Sequence, residues 1–369
     1  MRLGIDGNEA NVKNRVGVSV YAFNLLHYFK KHADASTQFV IFLRESPQED
    51  LPKENKYFHY EVVKGKFLWS QFFLPIRLYL RKDIDGFFSP AHYAPRFCPV
   101  PYIVTIHDLS YLYFPDDFTK KDLFTLRNWT RYSINNAKRI IAVSKTTKND
   151  ILKSYSIPDE KVDVVYNGYG KDFPNKQYFY KIKKLTMDKP SILYVGTLQP
   201  RKNIVTLIKA FSKFKNLYPD FELIIAGKKG WLYEKIFEEV ETLGLTTNVF
   251  FTDYVSDNQL MFLYKNAFCF VLPSFYEGFG IPILEAMSFK CPVISSITSS
   301  LPEIGGDACL YFDPKNPDDL FDKLVELKKN NKLRQEMIKK GVERVKLFSW
   351  EDCAKKTLMI LKTYGGKNN

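Results

Sequence analysis

A chain of 369 residues is longer than one hydrophobic core usually covers, and with 45% hydrophobic and 26% charged residues it reads as two folded domains of ordinary size. No run of 18 apolar residues exists, the nearest approach being NAFCFVLPSF at 266–275, so a membrane-spanning helix is not expected. The net charge of +13 is dispersed, with 24 Lys+Arg against 18 Asp+Glu in residues 1–170 and 30 against 23 beyond, which suits phosphate-bearing ligands or an anionic membrane surface and speaks against nucleic acid.

From the N-terminus, MRLGIDGNEAN lacks the apolar stretch and cleavage site of a signal peptide, and a cytoplasmic location is expected. Strand candidates then follow in order as RLGI, QFVIFL, FHYEVV, GFFSP, YIVTI, RIIAVS and VDVVY. Between them lie helix-period segments such as 18–31, with Val18, Tyr21, Leu25, Leu26 and Phe29 on one stripe, and 121–137. KFLWSQFFLPIRLYLRK at 66–82 reads as a helix that covers the sheet and bends at Pro75, although its aromatics and cations also suit an interfacial helix. Residues 170–190 turn polar, Lys-rich and aperiodic, which places a hinge near residue 175. Beyond it SILYVG, FELIIAG, VFFTD, FCFVLP and PVISS repeat the alternation of strand and helix. Ser349, with Asp352 three residues on, opens a last helix that ends in a fraying GGKNN tail. The expected fold is α/β, with two Rossmann-like doubly wound domains whose mostly parallel sheets face each other across a cleft. Their expected limits are 1–170 and 171–348, followed by a C-terminal helix in 349–369. The five cysteines are scattered, with no CxxC pair and no histidine at metal spacing, so neither a disulfide framework nor a zinc site is expected.

Open parallel sheets bind ligands at the carboxyl ends of their strands, so the chemistry should lie in strand-to-helix loops. Gly17 in GVSVY stands at a helix entry, where a glycine lets backbone amides approach an anion or simply makes a turn. No GxGxxG occurs, which removes the marker of a dinucleotide-binding oxidoreductase. Asp83-Ile84-Asp85 has the form of a metal-holding DxD, but DIDGFFSP reads as a helix end entering a buried strand. In VTIHDLS an aliphatic run ends in His107 and Asp108, so the histidine is either fixed by backbone bonds or set to contact a sugar hydroxyl. YVGTLQPRKNIVTLIKAF at 194–211 ends a strand at Gly196 and brings Arg201 and Lys202 to a helix that Asn203 can cap; two cations at a helix N-terminus suit a diphosphate. In PSFYEGFGIPILEAM at 273–287, Pro282 opens a helix whose first turn should hold Glu285 beside the positive dipole end, with Glu277 in the loop before it. Both carboxylates are suited to accept hydrogen bonds from vicinal hydroxyls, and Gly278 and Gly280 leave room for a ligand against the backbone.

These motifs, in this order, resemble glycosyltransferase family 4, whose retaining enzymes have the two-domain GT-B fold. EGFGIPILE is similar to the family's motif of two glutamates separated by seven residues, VGTLQPRKN to its diphosphate loop and IHDLS to its N-domain histidine. The resemblance implies that Arg201 and Lys202 hold the diphosphate of a nucleotide-sugar donor, that Glu285 binds the ribose, and that Glu277 with the backbone of Gly278, Phe279 and Gly280 holds the donor sugar. It places His107 on the transferred sugar, Gly17 near the phosphate and acceptor, Tyr254 and Val255 near the nucleobase, and Thr197 and Leu284 among the donor contacts. Thr197 stands where many members have Arg, and RVGVS where a GG pair is common. The implied reaction needs no cofactor and no metal: the leaving diphosphate helps deprotonate the acceptor hydroxyl on the same face of the sugar.

VGTLQPRKN and SSLPEIGGDA look most like bacterial mannosyltransferases that build lipopolysaccharide O-antigen or related polysaccharides from GDP-mannose, which implies a saccharide or lipid-linked saccharide acceptor and work in the cytoplasm, with the inner face of the plasma membrane as one place for it. Two other readings remain at this stage. One is a nucleotide-sugar epimerase or hydrolase on the same scaffold, distinguished by turnover without acceptor; the other is a non-catalytic protein that binds an anionic membrane surface.

Overall fold

The computed structural model describes residues 1–65, 67–170 and 189–366; the hinge expected near residue 175 and the end of the GGKNN tail lie outside the described residues. The chain divides into two compact units, one made of the residues up to Gly168 together with those from Phe348 on, the other running from Tyr169 to Leu347.

The first unit runs β1 (Arg2–Asp6), α1 (Val18–Lys31), β2 (Gln38–Leu43), β3 (Phe58–Val62), α2 (Phe73–Leu80), β4 (Gly86–Ser89) and β5 (Tyr102–Ile106). It continues through the single turn α3 (Ser110–Tyr113), α4 (Lys120–Asn136), β6 (Arg139–Ala142), α5 (Lys145–Tyr155) and β7 (Val162–Val164). The strands form one parallel sheet in the order β3-β2-β1-β4-β5-β6-β7. Side chains alternate across a strand, so β2 contributes to two cores: Phe39, Ile41 and Leu43 join one, Val40 and Phe42 the other. Both faces of the sheet are thereby buried, as parallel sheets require. Thr119 and Ser144 start α4 and α5 by accepting the amides of Asp122 and Thr147, at 3.1 and 3.0 Å.

The segment at 66–82 departs from expectation. Its helix covers only Phe73–Leu80, and Pro75 sits in the first turn, where a missing N–H leaves no helical bond unmade, so Pro75 helps begin the helix and does not bend it. Trp69, Leu74 and Leu78 are buried in the sheet's core, whereas Phe72, Ile76, Tyr79 and Leu80 remain exposed at helical spacing.

The second unit runs β8 (Ser191–Val195), α6 (Ile204–Leu217), β9 (Glu222–Ala226), α7 (Glu234–Thr242), β10 (Val249–Phe251), α8 (Asp257–Asn266) and β11 (Cys269–Leu272). After it come α9 (Ile281–Ser288), β12 (Val293–Ser296), α10 (Leu301–Gly305), β13 (Cys309–Phe312), α11 (Pro317–Lys329) and α12 (Asn331–Val345). Its parallel sheet has the order β10-β9-β8-β11-β12-β13. The strand β13, CLYF, was not expected from the sequence; it is a four-residue strand at the end of the sheet, held by β12, and too short to show a period.

In each unit the order reverses once, between β1 and β4 and between β8 and β11. At such a point the loops leave adjacent strands in opposite directions, which opens a crevice at the carboxyl ends. Helix α13 (Trp350–Tyr364) belongs to the first unit and starts where Ser349 Oγ accepts the Asp352 amide at 3.0 Å. Cys353, Ala354, Leu358 and Leu361 join Leu3, Ile5, Tyr21 and Leu25 in one core, so the last helix is a structural wall of the first sheet. Leu361 is fully buried, and Leu361→Ala is expected to cost about 2–5 kcal/mol, read as a lower urea midpoint at unchanged m-value.

Candidate active site

At the β8/β11 reversal the loops leaving the two strands are tied together. The 3-10 turn Pro200–Lys202 follows β8, and the Phe275 amide from the loop after β11 donates to the Arg201 carbonyl at 2.9 Å. Lys202 Nζ donates to Glu277 Oε1 at 2.6 Å, and Ser274 Oγ donates to the same oxygen at 2.7 Å. Arg201 Nη1 lies 3.8 Å from Glu277 Oε2 and donates to the Tyr276 carbonyl at 3.1 Å. Burial by itself would raise the pKa of Glu277, but Lys202 and Arg201 outweigh it and hold the carboxyl below its usual value. Two guanidinium or ammonium groups against one carboxylate leave a net positive charge at this strand end, which favours an anion with several oxygens.

Two backbone details depart from the sequence reading. Asn203 stands at the N-cap of α6 in a left-handed conformation (φ 57°), but its side chain does not cap the helix. Its Nδ2 donates instead to the carbonyls of Pro273 and Pro314, at 3.0 and 2.8 Å, so it fastens two loops. Glu285 is the fifth residue of α9, beyond the first turn, because the left-handed Gly280 (φ 105°) ends the loop and Ile281 begins the helix. A side chain at Gly280 would meet Leu301 as well as a disfavoured φ, so the loop geometry needs glycine there. Glu285 is largely buried, and its Oε2 accepts a hydrogen bond from the Tyr264 hydroxyl at 3.1 Å.

Of the other residues expected at the donor site, Thr197 is exposed just beyond β8, and Tyr254 is exposed after β10 with Lys228 Nζ 4.8 Å from its ring centroid. Val255 is half-buried against the core, while Phe279 and Leu284 are buried. Asp83 pairs with Arg2 and Arg81, and Asp85 Oδ2 accepts the Arg2 amide at 2.7 Å, so both acids of the DxD form take part in a network at the start of β1.

In the first unit His107 follows β5. Its Nε2 is 2.8 Å from the Pro90 carbonyl, Tyr21 packs edge-on against it at 5.0 Å, and the His92 ring stacks at 5.9 Å. Burial, then the neighbouring His92, lowers the His107 pKa to about 4, so at neutral pH it is an uncharged hydrogen-bonding group. Gly17, at the N-cap of α1 with φ 51°, adopts a backbone that L side chains rarely take, beside open space.

Sequence reasoning missed the groups that hold the glutamates. Ser299 Oγ accepts the Glu277 amide at 2.9 Å, and Ser300 Oγ donates to the carbonyls of Glu277 and Phe279 at 2.8 and 2.9 Å. SSLPEIGGDA contains both serines, but nothing in one chain's spacing says that they reach back to a loop 22 residues earlier. Tyr264 and His92 were likewise unremarked; His92, in SPAHYAP directly after a strand, carried the same strand-end signal that singled out His107.

Comparison with known proteins shows the family of the chain. Residues 16–172 match the model of Glycosyltransferase Family 4, and residues 176–344 that of Glycosyl transferases group 1. The chain is 31% identical over 268 residues to O-antigen chain mannosyltransferase B of Escherichia coli, covering 70% of each. It is 36% identical over 217 residues to O-antigen chain mannosyltransferase RfbU of Salmonella typhimurium, covering 58% of this chain and 57% of that protein. The crystal structure of WaaG, a glycosyltransferase involved in lipopolysaccharide biosynthesis, superposes with a TM-score of 0.72 at 16% identity, over 98% of this chain and 99% of that one. The chain therefore belongs to glycosyltransferase family 4, is a glycosyltransferase, and carries the GT-B pair of Rossmann-like units.

Proposed function

We propose that this enzyme moves a mannose from GDP-mannose, with retained anomeric configuration, onto a saccharide or lipid-linked saccharide acceptor in cell-surface polysaccharide synthesis. The observation that carries the reading is the Lys202–Glu277–Arg201 cluster at the β8/β11 reversal, a positive site built by strand ends. Similarity to two O-antigen mannosyltransferases supports mannose as the sugar.

In this reading Arg201 and Lys202 meet the charge that develops on the diphosphate as the glycosidic bond breaks, and Glu277 first holds both cations in place and then orients the sugar. Glu285 takes the ribose from its place on α9, Tyr254 and Val255 flank the base, and His107 contacts the transferred sugar. The β-phosphate oxygen takes the acceptor's proton, so the protein supplies no nucleophile. The cluster's cations fill the part that a metal plays in other transferases, and turnover should persist in excess EDTA.

The acceptor's lipid suggests a surface for it. Phe72, Ile76, Tyr79 and Leu80 are 57%, 47%, 57% and 68% exposed at and along α2, and the sequence from Val62 to Lys82 inclusive has no acid and five cations, two of which, Arg77 and Arg81, pair with Glu61. An exposed apolar stripe with basic flanks fits the interface of an anionic bilayer at the cytoplasmic face.

Three measurements test these statements. GDP and GDP-mannose should raise the melting temperature more than UDP, ADP and their sugars; a larger shift with another base, or none, removes the donor assignment. Lys202→Ala should lower kcat/KM by roughly 10²–10³-fold while the far-UV spectrum stays native, because Arg201 still faces the buried carboxylate. Sedimentation with anionic vesicles at low salt should be lost in a Phe72→Ser/Ile76→Ser/Leu80→Ser variant; equal binding by both proteins would rule out this face.

A further inference from the structure

We propose that His92 binds a hydroxyl of the saccharide on which this enzyme acts, as the partner of His107. The inference rests on the reading that the substrates are sugars, and begins from where His92 stands. The strand order of the first unit reverses between β1 and β4, and His92 lies in the loop that leaves β4 at that reversal. Ser89, buried at the end of β4, donates through Oγ to the carbonyls of Ala91 and Tyr93, at 3.2 and 2.6 Å, which curls the loop. The Pro90 carbonyl of the same loop is 2.8 Å from His107 Nε2. A carbonyl can only accept, so this bond sets the proton on Nε2 and leaves Nδ1 of His107 as an acceptor. Loop and histidine thus fix each other, and the two imidazole planes stack with 28° between them.

Nδ1 of His92 is buried and has no hydrogen-bond partner among the described residues. A buried polar atom left in this state costs free energy, and a hydrogen bond from a bound ligand would remove that cost. The chemistry of the surroundings selects the ligand. Burial lowers the pKa of both His92 and His107, so both rings are neutral at physiological pH and offer no cationic charge. The charge that acts on both rings is acidic: Asp108 works against burial on His92 and on His107 alike. A phosphate or carboxylate would be repelled here, whereas a hydroxyl, which both donates and accepts, matches a pair of neutral imidazoles. The hydroxyl can come from the transferred sugar or from the acceptor.

The test uses the full-length enzyme. Imidazole ¹⁵N resonances are followed during titration with GDP-mannose and, separately, with methyl α-mannoside, and both affinities are measured for the wild type, His92→Phe and His92→Asn. A response of His92 to GDP-mannose with none to GDP assigns the hydroxyl to the transferred sugar; a response to methyl α-mannoside assigns it to the acceptor. In either case His92→Phe should weaken that ligand about 10-fold, as expected for the loss of one hydrogen bond, with GDP affinity unchanged and partial rescue in His92→Asn. Resonances that stay still with both sugars, in an enzyme whose melting temperature rises with GDP, overturn the inference and leave the function standing. So does an equal loss in His92→Phe and His92→Asn with a fall in melting temperature, which marks a packing role. A His92 response without any nucleotide effect would instead overturn the GDP-sugar assignment and leave the hydroxyl site intact.

Discussion

Lys202 and Glu277 stand 75 residues apart in the chain and meet at 2.6 Å, and the charged cluster at the β8 and β11 strand ends depends on that meeting. It is possible because β8 and β11 are hydrogen-bonded neighbours, so the loops leaving their carboxyl ends emerge side by side. The ion pair is mostly withdrawn from solvent, where an unpaired carboxylate would be costly and a lone cation would be free to wander. Each charge is thus kept in place by the other, Ser274 donates to the same carboxylate, and Ser299, Ser300 and Asn203 hold the backbone around them. A charged cluster assembled this way is held in its geometry by the protein itself, which is what the proposed binding of a charged ligand would require.

The two units differ in electrostatic character at equivalent places in their folds. In the second, the reversal point holds excess positive charge on Arg201 and Lys202. In the first, the corresponding strand ends carry acids and two imidazoles that burial keeps neutral. Under the proposed function the contrast would divide the labour between a diphosphate, which needs cations, and sugar hydroxyls, which need oriented dipoles. The overall charge of the chain does not show this division, since both halves are basic to a similar degree.

Much of the fold was legible because parallel strands buried on both faces are short apolar runs between polar loops. QFVIFL, YIVTI and SILYVG could be nothing else in a chain that alternates them with amphipathic helices. CLYF was not legible, because four residues show no period and the pairing with β12 that makes them a strand is a tertiary fact. The helix around Pro75 is shorter than its pattern suggests, because apolar residues on all sides satisfy a helical pattern whether or not the backbone continues. Glu285 lies one turn further into its helix than the sequence suggests: the boundary of α9 is decided by the left-handed Gly280, and a glycine does not announce its φ.

By itself the sequence determined nearly all of the succession of strands and helices, the loops that carry Gly17, His107, Arg201, Lys202 and Glu277, and the helix that carries Glu285, because side-chain polarity and period are local properties. Only the tertiary structure decided which of those groups touch. Strand order within the sheet places Lys202 on Glu277, Tyr264 on Glu285 and His92 on His107, and strand order is a matter of pairing between distant segments. Hydrogen-bond partners are chosen by three-dimensional neighbours, and no spacing along one chain records them.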